Sequence, residues 1–187
     1  MEKERCAWCL KDALYMRYHD EEWGVPLRDD RALFEKLILD GFQAGLSWYT
    51  ILSKREGFLS AFEGFEPEVM ALWGEDRIVA LMQHPGIVRN QSKIRASVTN
   101  AQAYLRLQAS EGSFSDFLWS FVDGQPIVNR PRTLQEVPAT SPVSDAMSKE
   151  LKRRGFKFVG STICYAFMQA VGMVDDHVVG CWRSHSQ

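Results

Sequence analysis

Along most of the chain apolar residues recur every three or four positions, and no stretch alternates convincingly with period two, so the pattern predicts helices. In Asp30–Leu39 the residues Leu33, Phe34, Leu37 and Ile38 fall on one helical face, with Asp29 or Asp30 as the N-cap. Ser47 is placed to cap a segment running from Trp48 towards Phe58, and Pro67 suits the first turn of a short helix through Trp73. Asp76 is placed to cap Arg77–Gln83, His84-Pro85-Gly86 breaks the pattern, and a longer helix follows from about Arg89 to Gln108. Ser113-Phe-Ser-Asp116 resembles a capping box that opens an apolar helix to Val122. Four prolines between residues 123 and 143 predict a long irregular loop. Ser144 then starts a basic amphipathic helix ended by Gly155, and Gly160 to about Val174 reads as a last, mostly buried helix. With no repeat or linker dividing the chain, the expectation is all-α, a single globular helical domain over residues 1–187.

Composition supports a packed body. The chain has 187 residues, 45% of them hydrophobic and 12% aromatic, enough for a sizeable core without disulfides. The longest apolar stretches, around Phe114–Val122 and Ile163–Val174, are interrupted or too short for a membrane span, and the start carries no apolar signal core. The expectation is a cytoplasmic monomer in which the four cysteines are thiols or metal ligands rather than disulfides. The net charge of -2 conceals a division: residues 1–76 hold nine Lys/Arg against sixteen Asp/Glu, and residues 77–187 hold thirteen against eight. A basic second half fits either a polyanion-binding face or two solvated helix faces.

Two groups of metal-binding side chains lie near the ends. His177 and Cys181 are four apart and, on a helix, share one face; Cys6, Cys9 and His19 lie near the start, with Cys6 and Cys9 in Cys-x-x-Cys spacing. A two-plus-two tetrahedral site would staple the ends together and leave no position for water; the alternative is ordinary buried thiols with surface histidines.

Residues 81–94, Leu81-Met-Gln-His-Pro-Gly-Ile-Val-Arg-Asn-Gln-Ser-Lys-Ile94, resemble a helix-hairpin-helix within about residues 76–108. In such a unit the turn amides and the second helix's N-terminus meet a phosphate, here with Gly86 in the turn and Arg89 and Lys93 beside it. Val88 stands where the second hairpin glycine is usual, so a plain packing corner remains the other reading. Aromatic residues Trp8, Tyr15, Tyr18, Trp23 and Trp48 gather around Asp40, an acid placed at the end of an apolar helix where the helix dipole is already negative. Flat aromatic walls and two negative contributions suit a planar cation; plain core packing is the alternative for each ring alone.

Taken together, Arg5-Cys6-Ala-Trp8, Tyr18-His19-Asp-Glu-Glu-Trp23-Gly-Val-Pro26, Gln43-Ala-Gly-Leu-Ser-Trp48, Arg153-Arg-Gly-Phe-Lys-Phe-Val-Gly160, Thr162-Ile-Cys-Tyr165 and Asp176-His-Val-Val-Gly-Cys181 resemble the DNA-3-methyladenine glycosylase I family of the helix-hairpin-helix superfamily, over nearly the whole chain. The resemblance implies one structural zinc held by Cys6, His19, His177 and Cys181, with Cys9 a bystander, so that the zinc joins the N- and C-terminal segments. It implies a base pocket of Tyr15, Tyr18, Asp40 and Trp48 with Trp8 nearby. Where the family has Glu the chain has Asp40, one methylene shorter, so contact with the base lengthens or passes through a water. Ser92 stands where related sequences often have glycine in the second hairpin helix.

The implied activity is base-excision repair: hydrolysis of the N-glycosidic bond of 3-methyladenine in alkylated double-stranded DNA, releasing the base and leaving an abasic site. Gly86, Arg89 and Lys93 would hold phosphate, Gly45 and Leu46 would wedge the gap, and Trp48, Tyr18 and Asp40 would act on the extruded base. A monofunctional enzyme is expected, because the pocket motifs contain no lysine to form a Schiff base. The rivals are a zinc-stapled protein that binds alkylation damage without glycosylase activity, and a small-molecule pocket for a planar cation.

Overall fold

The computed structural model describes residues 3–185, within which the body is mostly helical; the expected unit 1–187 extends past these at each end. The helices are α1 (Ala13–Glu21), α2 (Asp30–Gln43), α3 (Trp48–Leu52), α4 (Arg55–Ala61), α5 (Pro67–Met70), α6 (Glu75–Met82), α7 (Gln91–Glu111), α8 (Phe114–Trp119), α9 (Pro142–Arg153) and α10 (Ser161–Ala170). Among the described residues no helix is long and apolar enough to cross a membrane.

Capping chemistry explains most boundaries. The Asp29 carboxylate accepts the Ala32 amide at the start of α2, the Ser47 hydroxyl accepts the Thr50 amide at α3, and Asn90 accepts the Lys93 amide at α7. Ser113 caps α8 as expected, its hydroxyl accepting the Asp116 amide, and the two amides before that one in the first turn are satisfied from another helix. Asp30, the first residue of α2, accepts the Phe114 and Ser115 amides at 2.9 and 2.7 Å and so welds two helix starts together. Ser141, not Ser144, caps α9, with Pro142 in the first turn and Ser144 closing a reciprocal box.

Three expectations about elements are corrected. The segment from Trp48 to Phe58 is two helices, broken at Ser53-Lys54. α6 begins at Glu75 after Gly74, so Asp76 lies inside its first turn rather than at the cap. The prolyl segment and the end of the last helical stretch contribute a two-residue parallel pair, β1 (Ile127–Val128) with β2 (Val174–Asp175), in register Ile127 to Val174. The chain turns out of α10 at Gly172, with φ at +74°. A Cβ there would stand 2.4 Å from the Pro26 nitrogen, so glycine is required on both counts.

α2 runs through the middle. It touches α3, α7, α8 and α10, and Leu33, Phe34, Leu37, Ile38, Leu39 and Phe42 are all buried. The second half of the helix is buried nearly all round, and Lys36 and Asp40 lie inside with it.

Candidate active site and metal cluster

α2 continues to Gln43, so Asp40 sits within its last turn, projecting from the core rather than standing at its end. Around it the structure brings together Trp8, Tyr15, Tyr18, Trp23 and Trp48, which line a cavity of about 270 Å3 with Asp40. Trp8 packs edge-on against Tyr15 and Trp23, with ring centroids 4.9 and 5.0 Å apart, and Tyr18 and Trp48 are 5.5 Å apart. Among the described residues, Asp40 Oδ2 and the Trp48 indole Nε1 are buried with no hydrogen-bond partner. Burying a polar atom unpaired is costly, so an acceptor and a donor left open beside an aromatic cavity mark a place prepared for a ligand's polar edge.

Burial pushes the Asp40 carboxyl up to about 6, an effect opposed by the ammonium of Lys36. Lys36 lies one turn earlier on α2, buried, with Nζ 3.9 Å from Asp40 Oδ1. It donates to Tyr18 Oη at 3.1 Å and sits 3.4 Å from the centre of the Trp48 ring. Desolvation draws its ammonium down to about 8 against the pull of Asp40. This lysine stands outside the motifs from which the pocket was read. It does not itself line the cavity.

The far wall was not foreseen. Ala166, Gln169 and Ala170 face the cavity from α10, joined by Leu134 and Val137 from the prolyl segment and by Asp176. The three α10 residues lie at positions i, i+3 and i+4, and two small residues with a glutamine in an apolar helix were the only available signal. Asp176 accepts from Asn129, Tyr165 and Gln169 at 2.7, 2.7 and 2.8 Å, so its carboxylate is committed to holding that wall.

Behind Trp23 lies the second constellation. Cys6, His19 and Cys181 bring one ligand atom each within 4.8 Å of one another, all buried, so the group could hold a metal ion. His177 does not reach this group by helical spacing: it follows β2, and Cys181 lies in a turn. Its ring nevertheless lies 5.1 Å from that of His19. Nδ1 of His177 is fixed by Asp175 Oδ1 at 2.6 Å, and Nε2 is buried with no hydrogen-bond partner among the described residues. His19 is held likewise, Nδ1 by Asp20 at 2.9 Å and Nε2 3.4 Å from Cys181 Sγ. Carboxylates that orient imidazoles while leaving Nε2 for an ion are the usual support of metal-binding histidines, and His19 and His177 are both held in that way. A hydrogen bond from Cys6 holds the Cys181 thiol well below its ordinary value, readying one ligand as thiolate. Cys9 instead turns its thiol to the Cys6 carbonyl, 3.1 Å away. Gly24, at φ +77°, lets the chain pass His177 where a Cβ would come within 2.7 Å of the ring.

The remaining predicted residues fall at two turns. Gly45 and Leu46 occupy the α2–α3 turn, with Leu46 42% exposed. Gly86 and Arg89 occupy the α6–α7 connection, with Arg89 exposed. Two expectations there are corrected. The Gly86 amide is not a free donor, because His84 Nδ1 accepts it at 3.1 Å. Lys93 is not a surface cation: it is buried and donates to the carbonyl oxygens of Phe42 and Ala44. Those carbonyls end α2 without helical partners, and an ammonium satisfies them best.

The sequence profile of methyladenine glycosylases matches residues 8–184. The chain belongs to the methyladenine glycosylase family. It is 53% identical over 178 residues to the DNA-3-methyladenine glycosylase 1 of Escherichia coli (strain K12), covering 95% of each chain. It is 50% identical over 177 residues to the DNA-3-methyladenine glycosylase of Haemophilus influenzae, covering 95% of this chain and 96% of that one. Among solved structures, a crystal structure of 3-methyladenine DNA glycosylase I superposes with a TM-score of 0.94 at 51% identity, over 96% of this chain and 98% of that one. A variant of 3-methyladenine DNA glycosylase I, crystallised in complex with 3-methyladenine, gives 0.93 at 40% identity over 96% and 97%. Membership of the methyladenine glycosylases thus rests on matched sequence and matched architecture over nearly the full length.

Proposed function

We propose that the aromatic cavity receives 3-methyladenine from alkylated double-stranded DNA and that Asp40 reads it there, the carrying observation being the unpaired Asp40 Oδ2 and Trp48 Nε1 on an aromatic-walled cavity. The chain is a DNA glycosylase of base-excision repair, as its family membership states. An exocyclic amine on the base edge would meet Asp40 Oδ2, Trp48 and Tyr18 would flank the ring, and Tyr15 and Trp8 would close the side. Methylation at N3 makes the base cationic within DNA, so its glycosidic electron pair departs with it and leaves a neutral base. Water adds to the anomeric carbon, losing a proton to solvent, and an abasic site remains. This leaving group needs little help, which fits a cavity whose second carboxylate, Asp176, is already committed to three donors.

Extrusion of the nucleotide would place Leu46, carried on the Gly45 turn, in the gap left in the stack. The α6–α7 connection would serve as a helix-hairpin-helix, with Arg89 and the amides at the start of α7 on a backbone phosphate. Cys6, His19, His177 and Cys181 would hold one structural zinc ion, which when bound with four protein ligands supplies rigidity and no activated water. The release would be monofunctional, since the Lys36 amine is turned to Tyr18 and Trp48 and does not line the cavity. We place the protein in the cytoplasm as a monomer.

The test is base release from methylated duplex DNA, with freed bases separated by chromatography. The expected result is free 3-methyladenine with 7-methylguanine retained on the DNA. Binding to methylated duplex without any release, from folded protein, would overturn the reading and leave a damage-binding protein.

A further inference from the structure

We propose that Lys36 is a positioning residue of the base-reading site: its buried ammonium, 3.9 Å from Asp40 Oδ1, keeps Asp40 ionised while leaving Oδ2 open to the base. This rests on the base-excision reading above.

A buried carboxylate stays ionised only where a donor or an opposite charge compensates it. Asp40 is only 2% exposed and among the described residues no donor reaches its Oδ2, so burial alone favours the protonated, neutral form. A protonated Asp40 would turn one acceptor oxygen into a hydroxyl donor and leave only a neutral carbonyl, a weaker acceptor for a purine amine than a carboxylate. Something must hold the charge, and the surrounding groups narrow the choice. From α1, Tyr18 faces Asp40, and from α10, Cys164; burial pushes both acids up, so both are neutral. Asp176, across the cavity, is committed to Asn129, Tyr165 and Gln169. The charges around Lys36 are Glu22, Glu35 and Arg55, and Arg55 is engaged by Glu22 at 2.6 Å and lies 3.6 Å from Glu35. From α7, Lys93 is committed to the Phe42 and Ala44 carbonyl oxygens, so among the described residues Lys36 is the cation that stands beside the Asp40 carboxylate.

Its distance matters as much as its charge. A direct salt bridge would occupy the carboxylate and compete with the ligand. Here the ammonium is tethered instead by its hydrogen bond to Tyr18 Oη and by the Trp48 ring. It remains close enough to act through space, where an opposite charge within about 4–6 Å lowers a carboxyl pKa by about one to three units.

The experiment follows the Asp40 carboxyl carbon by NMR against pH in the full chain and in K36M, alongside the pH profile of kcat/KM for 3-methyladenine release. In K36M the Asp40 midpoint should rise by about one to three pH units, and the acidic limb of the profile should move with it. K36R, which keeps a cation, should hold both nearer the original pH. A merely structural role would lower activity at every pH without moving either. An unmoved Asp40 midpoint in K36M would overturn the proposal even if wild-type release is robust. Wild-type protein that releases no base would overturn the underlying reading, and the proposed role with it. Should K36M fail to fold, K36Q, which keeps a donor for Tyr18 Oη, carries the same comparison.

Discussion

The Lys93 ammonium donates to the Phe42 carbonyl oxygen at 2.8 Å, tying the start of α7 to the end of α2, and a second bond reaches Ala44. The residue expected to neutralise DNA thus holds in place the turn that carries Gly45 and Leu46. K93M should lower stability by about 1.5–3 kcal/mol, because two carbonyls lose a charged donor. Urea unfolding at neutral pH measures this. The salt dependence of DNA binding separates the roles: R89A should reduce the slope of log K against log salt by about one, and K93M should leave it unchanged.

Asp40 supplies the acceptor at the pocket, so its length and its charge can be separated. D40N exchanges an ionised acceptor for a neutral amide and should cost about tenfold to a hundredfold in kcat/KM for 3-methyladenine release. D40E restores the missing methylene and brings the carboxylate nearer the base, and several-fold faster release is expected. Single-turnover release from methylated duplex measures both. Equal rates for D40N and wild type would remove Asp40 from the reaction.

What could be read beforehand follows from how local each feature is. The helices were legible because an apolar face and its cap lie within a dozen residues, as at Asp29 and Leu33 to Ile38. The near wall of the pocket was legible because Trp8, Tyr18, Asp40 and Trp48 belong to motifs whose residue types already state their chemistry. The far wall was not, since Ala166, Gln169 and Ala170 look like ordinary interior residues until α10 is set opposite α2. His177 reached the neighbourhood of the cysteines by a different route from the one its spacing suggested, through a strand rather than a helical turn. Lys36 could have been found: four residues before Asp40 on the same helix, its charge had to share Asp40's surroundings.

The Cys/His cluster packs directly behind the pocket, because Trp23 lines the cavity and also meets the His177 ring at 4.6 Å. Metal removal should therefore loosen the pocket as well as the fold. Elemental analysis should find one zinc per chain. Chelation under mildly destabilising conditions should lower the thermal midpoint and weaken binding of free 3-methyladenine together. D175A, which frees the His177 ring of its carboxylate partner, should reduce metal affinity by about 10–100-fold if His177 completes the proposed set. A chelated protein with an unchanged midpoint and unchanged base affinity would assign the four side chains to ordinary packing.

The Lys36–Asp40 pair should cost stability at the pH where it serves function. The Asp40 carboxyl is raised from 3.8 to about 6 in the fold, so the unfolded chain loses its proton first, and this contribution falls as pH rises between those values. The Lys36 ammonium is lowered from 10.5 to about 8, so the unfolded chain holds more protons between those values, and stability returns as pH rises from about 8. Both costs are present together between about pH 6 and 8. Replacing the pair in K36M/D40N removes two buried charges, and a gain of about 1–4 kcal/mol at pH 7 is expected, together with loss of base release. Urea unfolding of both proteins across pH 4 to 10 measures it: the difference should be widest in the neutral window and narrow towards either end. A constant offset would mean that the gain came from packing, and a less stable double variant would mean that the pair stabilises the fold it was expected to burden.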